Sequence, residues 1–170
     1  MFVAIVIVVA TILLVFGLVV FRGAPYVPTL RKNLEQGFRD VYPLSERDLL
    51  VDIGSGDGVV LRQAAKCGAR AIGYELNPFL VMLSKLLSRN NPLVKIYLAD
   101  FWRVSLPDET TIVYTFGESR DIEKMYQKVQ EEVNRLAKPI YFMSFGFPVK
   151  DKEALKTEAG FCLYQVSPLQ

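Results

Sequence analysis

Asp52, Gly54, Gly56 and Gly58 alternate through Val51-Asp52-Ile53-Gly54-Ser55-Gly56-Asp57-Gly58-Val59, between an apolar run at Leu49-Leu50-Val51 and a helix-like stretch, Val60-Leu61-Arg62-Gln63-Ala64-Ala65. Glycine adopts backbone conformations closed to other residues and lets a ligand come close to the chain. A strand ending in an acid, then three glycines, then a helix, therefore suits a nucleoside-bearing cofactor. The spacing narrows the chemistry. A dinucleotide site needs a small residue three places after the second glycine, with the helix N-terminus facing a pyrophosphate; here that place holds the branched Val59. A carboxylate at the strand tip would repel a pyrophosphate, yet it could accept hydrogen bonds from an ammonium group. Asp57 has two readings at this stage, a cap for the following helix or a cofactor contact.

Two more acids fall at strand ends. Ala71-Ile72-Gly73-Tyr74-Glu75-Leu76 reads as a second strand closing on Glu75, about 20 residues past the glycines, where a carboxylate can accept both ribose hydroxyls. A charge-assisted pair of that kind contributes roughly 1.5–3 kcal/mol. A third strand, Val94-Lys95-Ile96-Tyr97-Leu98, leads into Ala99-Asp100-Phe101-Trp102. The acid-x-Gly-x-Gly-x-Gly pattern resembles motif I of the class I S-adenosylmethionine (SAM) methyltransferases, whose cofactor carries a sulfonium and an amino acid moiety in place of phosphates. The resemblance implies that Asp52, Glu75 and Asp100 hold the amino, ribose and adenine portions. Gly54, Ser55, Gly56, Gly58, Leu76 and Asn77 join the binding set, and Phe101 and Trp102 flank the adenine, although Trp102 also reads as a core aromatic.

The elements that must position these residues follow from periodicity. Strands are expected at 48–53, 70–75, 93–98, 111–116 and 139–145, and helices at 58–67, 78–89 and 119–137. Such alternation means a mainly parallel sheet with helices on both faces. Gly160 to Val166 reads as a closing antiparallel strand, so the expectation is a Rossmann-like α/β sheet of about six strands. Leu30, Leu34, Phe38 and Val41 recur at helical spacing after Thr29 and before Pro43. In the helix 119–137, Ile122, Met125, Val129, Val133 and Leu136 form the inward stripe, and the Glu, Lys and Gln side chains read as a solvated face.

Met1 to Phe21 contains no charged side chain. As a helix it would span about 31 Å, the thickness of a bilayer core. A cleaved signal peptide would place basic residues ahead of a shorter apolar core, and the first basic side chain is Arg22. One N-terminal transmembrane helix is therefore expected before the sheet. Three divisions result: an anchor at 1–21, a linker and helix at 22–44, and the catalytic domain at 45–170. Arg22, Arg31 and Lys32 follow the span, so the positive-inside rule puts the domain in the cytoplasm, or on the matrix side of a mitochondrial membrane. The net charge of +2 is too small to argue for a nucleic-acid partner. The two cysteines, Cys67 and Cys162, lack metal-ligand spacing, and no metal is expected. Histidine is absent, which removes imidazole-based triads and the usual general base.

In the order given by Pro25-Tyr26-Val27-Pro28-Thr29, the glycine segment, Gly73-Tyr74-Glu75-Leu76-Asn77-Pro78, Asp100-Phe101-Trp102-Arg103 and Phe145-Gly146-Phe147-Pro148, the chain resembles the small membrane-anchored lysine methyltransferases that modify the ATP synthase c subunit and the adenine nucleotide translocase. It departs from that family at Phe101, Arg103 and Gly117-Glu118-Ser119. The resemblance implies a SAM-dependent protein lysine N-methyltransferase acting on a membrane or membrane-proximal protein. A lipid or quinone methyltransferase, and a non-catalytic SAM-binding membrane protein, are the alternatives. Glu118, Tyr26 and Phe116 are the candidate catalytic residues. Glu118 is placed to position or deprotonate an amine, or else it is a helix N-terminal acid favoured by the dipole.

Overall fold

The computed structural model describes residues 6–7, 31–116 and 121–169. The chain enters through a helix, α1 (Arg31–Gln36), that widens into a π turn at Gly37–Val41 and ends on Tyr42. The elements then alternate: β1 (Leu49–Ile53), α2 (Val59–Lys66), β2 (Arg70–Glu75), α3 (Pro78–Ser88), β3 (Val94–Leu98), β4 (Ile112–Thr115), α4 (Ile122–Leu136), β5 (Ile140–Phe145), β6 (Lys156–Glu158) and β7 (Phe161–Val166). A single 3-10 turn, Phe101–Arg103, stands where a helix would otherwise follow β3.

The strands form one seven-stranded sheet in the order β3-β2-β1-β4-β5-β7-β6. The first five are parallel and β7 runs antiparallel to β5. Strand order reverses between β1 and β4, and in open α/β sheets ligands bind beyond the carboxyl ends of the strands at such a point. β1 is buried along its whole length, as expected of a parallel strand covered on both faces. On one face Leu34, Phe38, Leu61, Ala64 and Val81 pack with Leu50, Ile96 and Tyr114. On the other, Ile122, Val129 and Val133 of α4 pack with Val51, Val113, Phe142 and Tyr164.

Two expectations are corrected. Among the described residues the sheet has seven strands where about six were expected, because β6 is a three-residue polar strand with no apolar alternation to reveal it. It joins β7 through Ala159 and Gly160, both at positive φ, the conformation a tight two-residue hairpin requires. Glu132 does not belong to the solvated face of α4. It is buried, and it accepts from Leu106 N at 3.0 Å, Lys128 Nζ at 2.9 Å and Arg135 Nε at 2.9 Å. Both cysteines are free. Among the described residues no helix is long and apolar enough to cross a membrane; the expected anchor at 1–21, apart from residues 6–7, and the linker at 22–30 lie outside them.

Candidate active site

Asp52 sits on β1 beside the reversal point, paired in register with Gly73 on one side and Tyr114 on the other. Asp52 is 2% exposed, and among the described residues its Oδ2 has no hydrogen-bond partner. Burial pushes its carboxyl well above the usual carboxylate range, and the nearby Glu75 and Asp57 charges push the same way. A buried acceptor without a donor is costly, so this oxygen marks a place where the fold leaves room for a cationic or hydrogen-bond-donating ligand.

The chain then turns over the end of β2. Gly54 N and Ser55 N both donate to Tyr74 O, at 2.9 and 3.1 Å, and Gly58 N donates to Ser55 O at 2.8 Å. Gly54, Gly56 and Gly58 have φ of 69°, 54° and 79°, the left-handed region that only glycine enters freely. A Cβ on Gly54 would meet no atom within 4 Å, so this glycine borders open space. Gly58 is different: a Cβ there would lie 2.1 Å from Ser84 Oγ, against α3. Its absence of a side chain serves packing.

Glu75 ties two loops together. Its Oε2 accepts from Gly56 N and its Oε1 from Asn77 N, each at 2.8 Å. Each carboxylate oxygen has a second lone pair, which leaves capacity for ribose hydroxyls. Asn77 is buried, and its Oδ1 accepts from Phe79 N at 3.0 Å and Leu80 N at 3.4 Å. Its side chain is thus the N-cap of α3, with Pro78 at the first helical position. Leu76 is exposed beside it. Asp57 Oδ1 accepts from Val59 N at 3.0 Å, and Oδ2 pairs with Arg62 at 3.3 Å.

At the end of β3, Asp100 Oδ1 accepts from Trp102 N at 3.1 Å and Oδ2 lies 3.5 Å from Arg103 Nε. Phe101 is buried against Tyr74, with ring centroids 6.5 Å apart. Trp102 is exposed, not a core aromatic. The rim thus carries Asp52, Glu75 and Asp100 on β1, β2 and the turn after β3, and these residues fit an ammonium-, ribose- and adenine-bearing ligand. Phe116 follows β4, whose Thr115 pairs with Ile53, and it packs edge-on against Phe145 at 5.3 Å. Tyr26 and Glu118 lie outside the described residues. Among the described residues no group of three or more His, Cys, Asp or Glu could hold a metal ion.

Sequence reasoning passed over two features. Gly73, mid-strand, lets the loop close down, since a Cβ there would lie 2.4 Å from Ser55 Oγ and 2.7 Å from Leu61 Cδ1. A glycine inside a strand was the available signal. Ser144 Oγ donates to Phe147 O at 2.7 Å and shapes the loop after β5; a lone serine carries no such signal.

Sheet order, helices on both faces and an acid-tipped glycine loop define a Rossmann-like class I methyltransferase fold. A crystal structure of an RNA methyltransferase from Salinibacter ruber, in complex with S-adenosyl-L-homocysteine, superposes with a TM-score of 0.73 at 23% identity, covering 83% of this chain and 94% of that one. A sequence model of the ANTKMT methyltransferase domain matches residues 52–156. The chain is 35% identical over 127 residues to the human lysine N-methyltransferase of the ATP synthase c subunit, covering 73% of this chain and 53% of that protein. Over 63 residues it is 46% identical to the mouse adenine nucleotide translocase lysine N-methyltransferase, covering 35% of this chain and 28% of the relative. The chain belongs to the ANTKMT methyltransferase domain family of class I SAM-dependent methyltransferases. It spans about half the length of the human relative.

Proposed function

We propose that this chain is a SAM-dependent protein lysine N-methyltransferase, tethered to a membrane by residues 1–21 and acting on a membrane or membrane-proximal protein. The cofactor is S-adenosylmethionine, which supplies a methyl group on an electrophilic sulfonium. The observation that carries the reading is the buried, unpartnered Asp52 carboxylate beside the Gly54–Gly58 loop, inside a domain whose relatives are lysine N-methyltransferases. Asp52 holds the amino group of the cofactor. Glu75 fixes the loop while accepting from the ribose, and Asp100 accepts from the adenine amino group with Phe101 and Trp102 alongside.

The acceptor lysine must lose a proton before its nitrogen lone pair can attack. Holding that amine neutral at pH 7 costs about 4.6 kcal/mol from its reference pKa, and an apolar, aromatic-lined slot offsets much of this by desolvating the ammonium. The edge-packed pair Phe116 and Phe145 at the ends of β4 and β5 supports a slot there. Glu118 positions the amine or receives its proton, with Tyr26 and Phe116 as the other candidate catalytic residues. As the nitrogen–carbon bond forms, the sulfur–carbon bond breaks; aligning the two is the main catalytic task.

The test is to incubate the chain with membranes and radiolabelled SAM. Label in protein lysines supports the reading, whereas label in lipid with none in protein replaces it with a lipid or quinone methyltransferase.

A further inference from the structure

Helix α3 is amphipathic in the wrong sense for a helix on a sheet. Its inward positions are Val81, Ser84 and Ser88, while Phe79, Met82, Leu83, Leu86 and Leu87, spaced to form one continuous stripe, are exposed. Met82 is 66% exposed. The small inward residues have a local reason at Ser84, which lies against the Gly58 backbone. Among the described residues, nothing packs over the outward stripe.

Along one flank of the stripe, α3 and the edge strand β3 border a shallow, open cleft of about 310 Å³, whose lining includes the apolar Val94 and Ile96 and the polar Lys85, Ser88, Arg89, Asn91, Lys95 and Tyr97. Ser88 is 6% exposed, and among the described residues its hydroxyl has no hydrogen-bond partner. No acidic side chain lines the cleft, and none occurs between Leu76 and Ala99. Three cationic side chains, a buried unpartnered hydroxyl and an adjoining apolar stripe make a site with anionic head and apolar tail complementarity.

We propose that the α3–β3 face lies on the membrane surface. The stripe from Phe79 to Leu87 enters the headgroup–acyl boundary, and the Lys85–Arg89–Lys95 cleft holds the phosphate of an anionic phospholipid. Charge selects this occupant over the others. A second copy stacked on the same face would bring cation against cation. The N-terminal segment offers no counter-charge either, since no acid precedes Glu35. Anionic headgroups supply both the phosphate and the apolar medium that a basic amphipathic helix needs. This surface stands on α3 and β3 alone and is independent of the anchor proposed above.

The experiment uses the full chain in vesicles, with a nitroxide at Met82→Cys in a Cys67→Ser background and a control label at Glu131→Cys on α4. Flotation reports attachment through any anchor; oxygen and nickel accessibility of the labels report which face meets the bilayer. In vesicles containing phosphatidylglycerol, the Met82 label is expected to be accessible to oxygen and shielded from nickel, and the Glu131 label the reverse. Zwitterionic vesicles should leave both labels in water. Lys85→Gln, Arg89→Gln and Lys95→Gln should each lower the docked-to-undocked ratio about fivefold. Leu83→Gln with Leu86→Gln should abolish docking, with circular dichroism unchanged. A Met82 label that stays in water in every vesicle overturns the proposal. So does spin–spin broadening between copies, which would mean a dimer, or equal occupation of the cleft by millimolar inorganic phosphate, which would mean a soluble-anion site.

Discussion

Asp52 combines a buried carboxyl with an unpartnered oxygen, and its titration has a definite sign. Its folded pKa lies above the unfolded carboxylate value because of burial first, then Glu75 and Asp57. Folding of the free chain therefore favours the protonated form, and stability falls as pH rises from the ordinary carboxylate value through the folded one. Asp52→Asn should melt above the wild type near neutral pH, with the gap closing in acid, and should lose SAM binding by calorimetry; a gap that widens in acid would contradict this account. Gly54 tests the open side of the loop. Gly54→Ala places a residue at φ 69°, which costs about 1–2 kcal/mol of stability. Because its methyl enters the space next to the cofactor, SAM affinity should fall at least about tenfold, or ~1.4 kcal/mol. Unchanged affinity in that variant would show that the cofactor does not approach Gly54.

Among the elements, α4 owes its seat to Glu132 as well as to its apolar stripe. Burial alone would raise the Glu132 carboxyl, but Lys128, the Leu106 amide and Arg135 together hold it below its ordinary value. Arg135 Nη2 also donates to Leu106 O at 2.6 Å, so one acid and one cation pin the loop before β4 to the helix. Glu132→Ala leaves the Leu106 amide without its acceptor, and the expected cost is about 2–3 kcal/mol by denaturant titration. Since the folded pKa is depressed, this stabilisation is present above the ordinary glutamate value and disappears as pH falls through the folded one. The wild type and Glu132→Ala should therefore converge in acid. Gly73→Ala should be at least as damaging for a steric reason, because Ser55 Cβ at 2.6 Å and Leu61 Cδ1 at 2.7 Å have little freedom to retreat.

For the molecule as a whole, cofactor binding and membrane attachment are expected to be separable. The proposed anchor at 1–21 is far in sequence from the Asp52, Glu75 and Asp100 rim. An anchor that makes no contact with the cofactor contributes independently of it, so on the proposed division of roles removing residues 1–21 should change SAM affinity by no more than about twofold. Methylation of a membrane protein in vesicles should nevertheless fall sharply. Equal loss of both, measured by calorimetry and by radiolabel transfer, would mean that the N-terminal segment completes the cofactor site.

Much of this was legible in the linear chain because the signals are local. The run Leu49–Ile53, the glycine alternation and the acids at 52, 75 and 100 are set by backbone conformation and strand period, which neighbours in sequence dictate. Strand and helix boundaries accordingly fell within a few residues of those observed. The three-residue β6 and the burial of Glu132 were decided by tertiary pairing, since neither changes the local hydrophobic pattern in a readable way. The same holds for Glu75 as a brace between two loops and for the outward apolar stripe of α3. Composition alone would have turned that stripe toward the core; only the close approach of Gly58 to Ser84 and the position of β3 at the sheet edge determine which side of the helix meets the protein and which is left for something else.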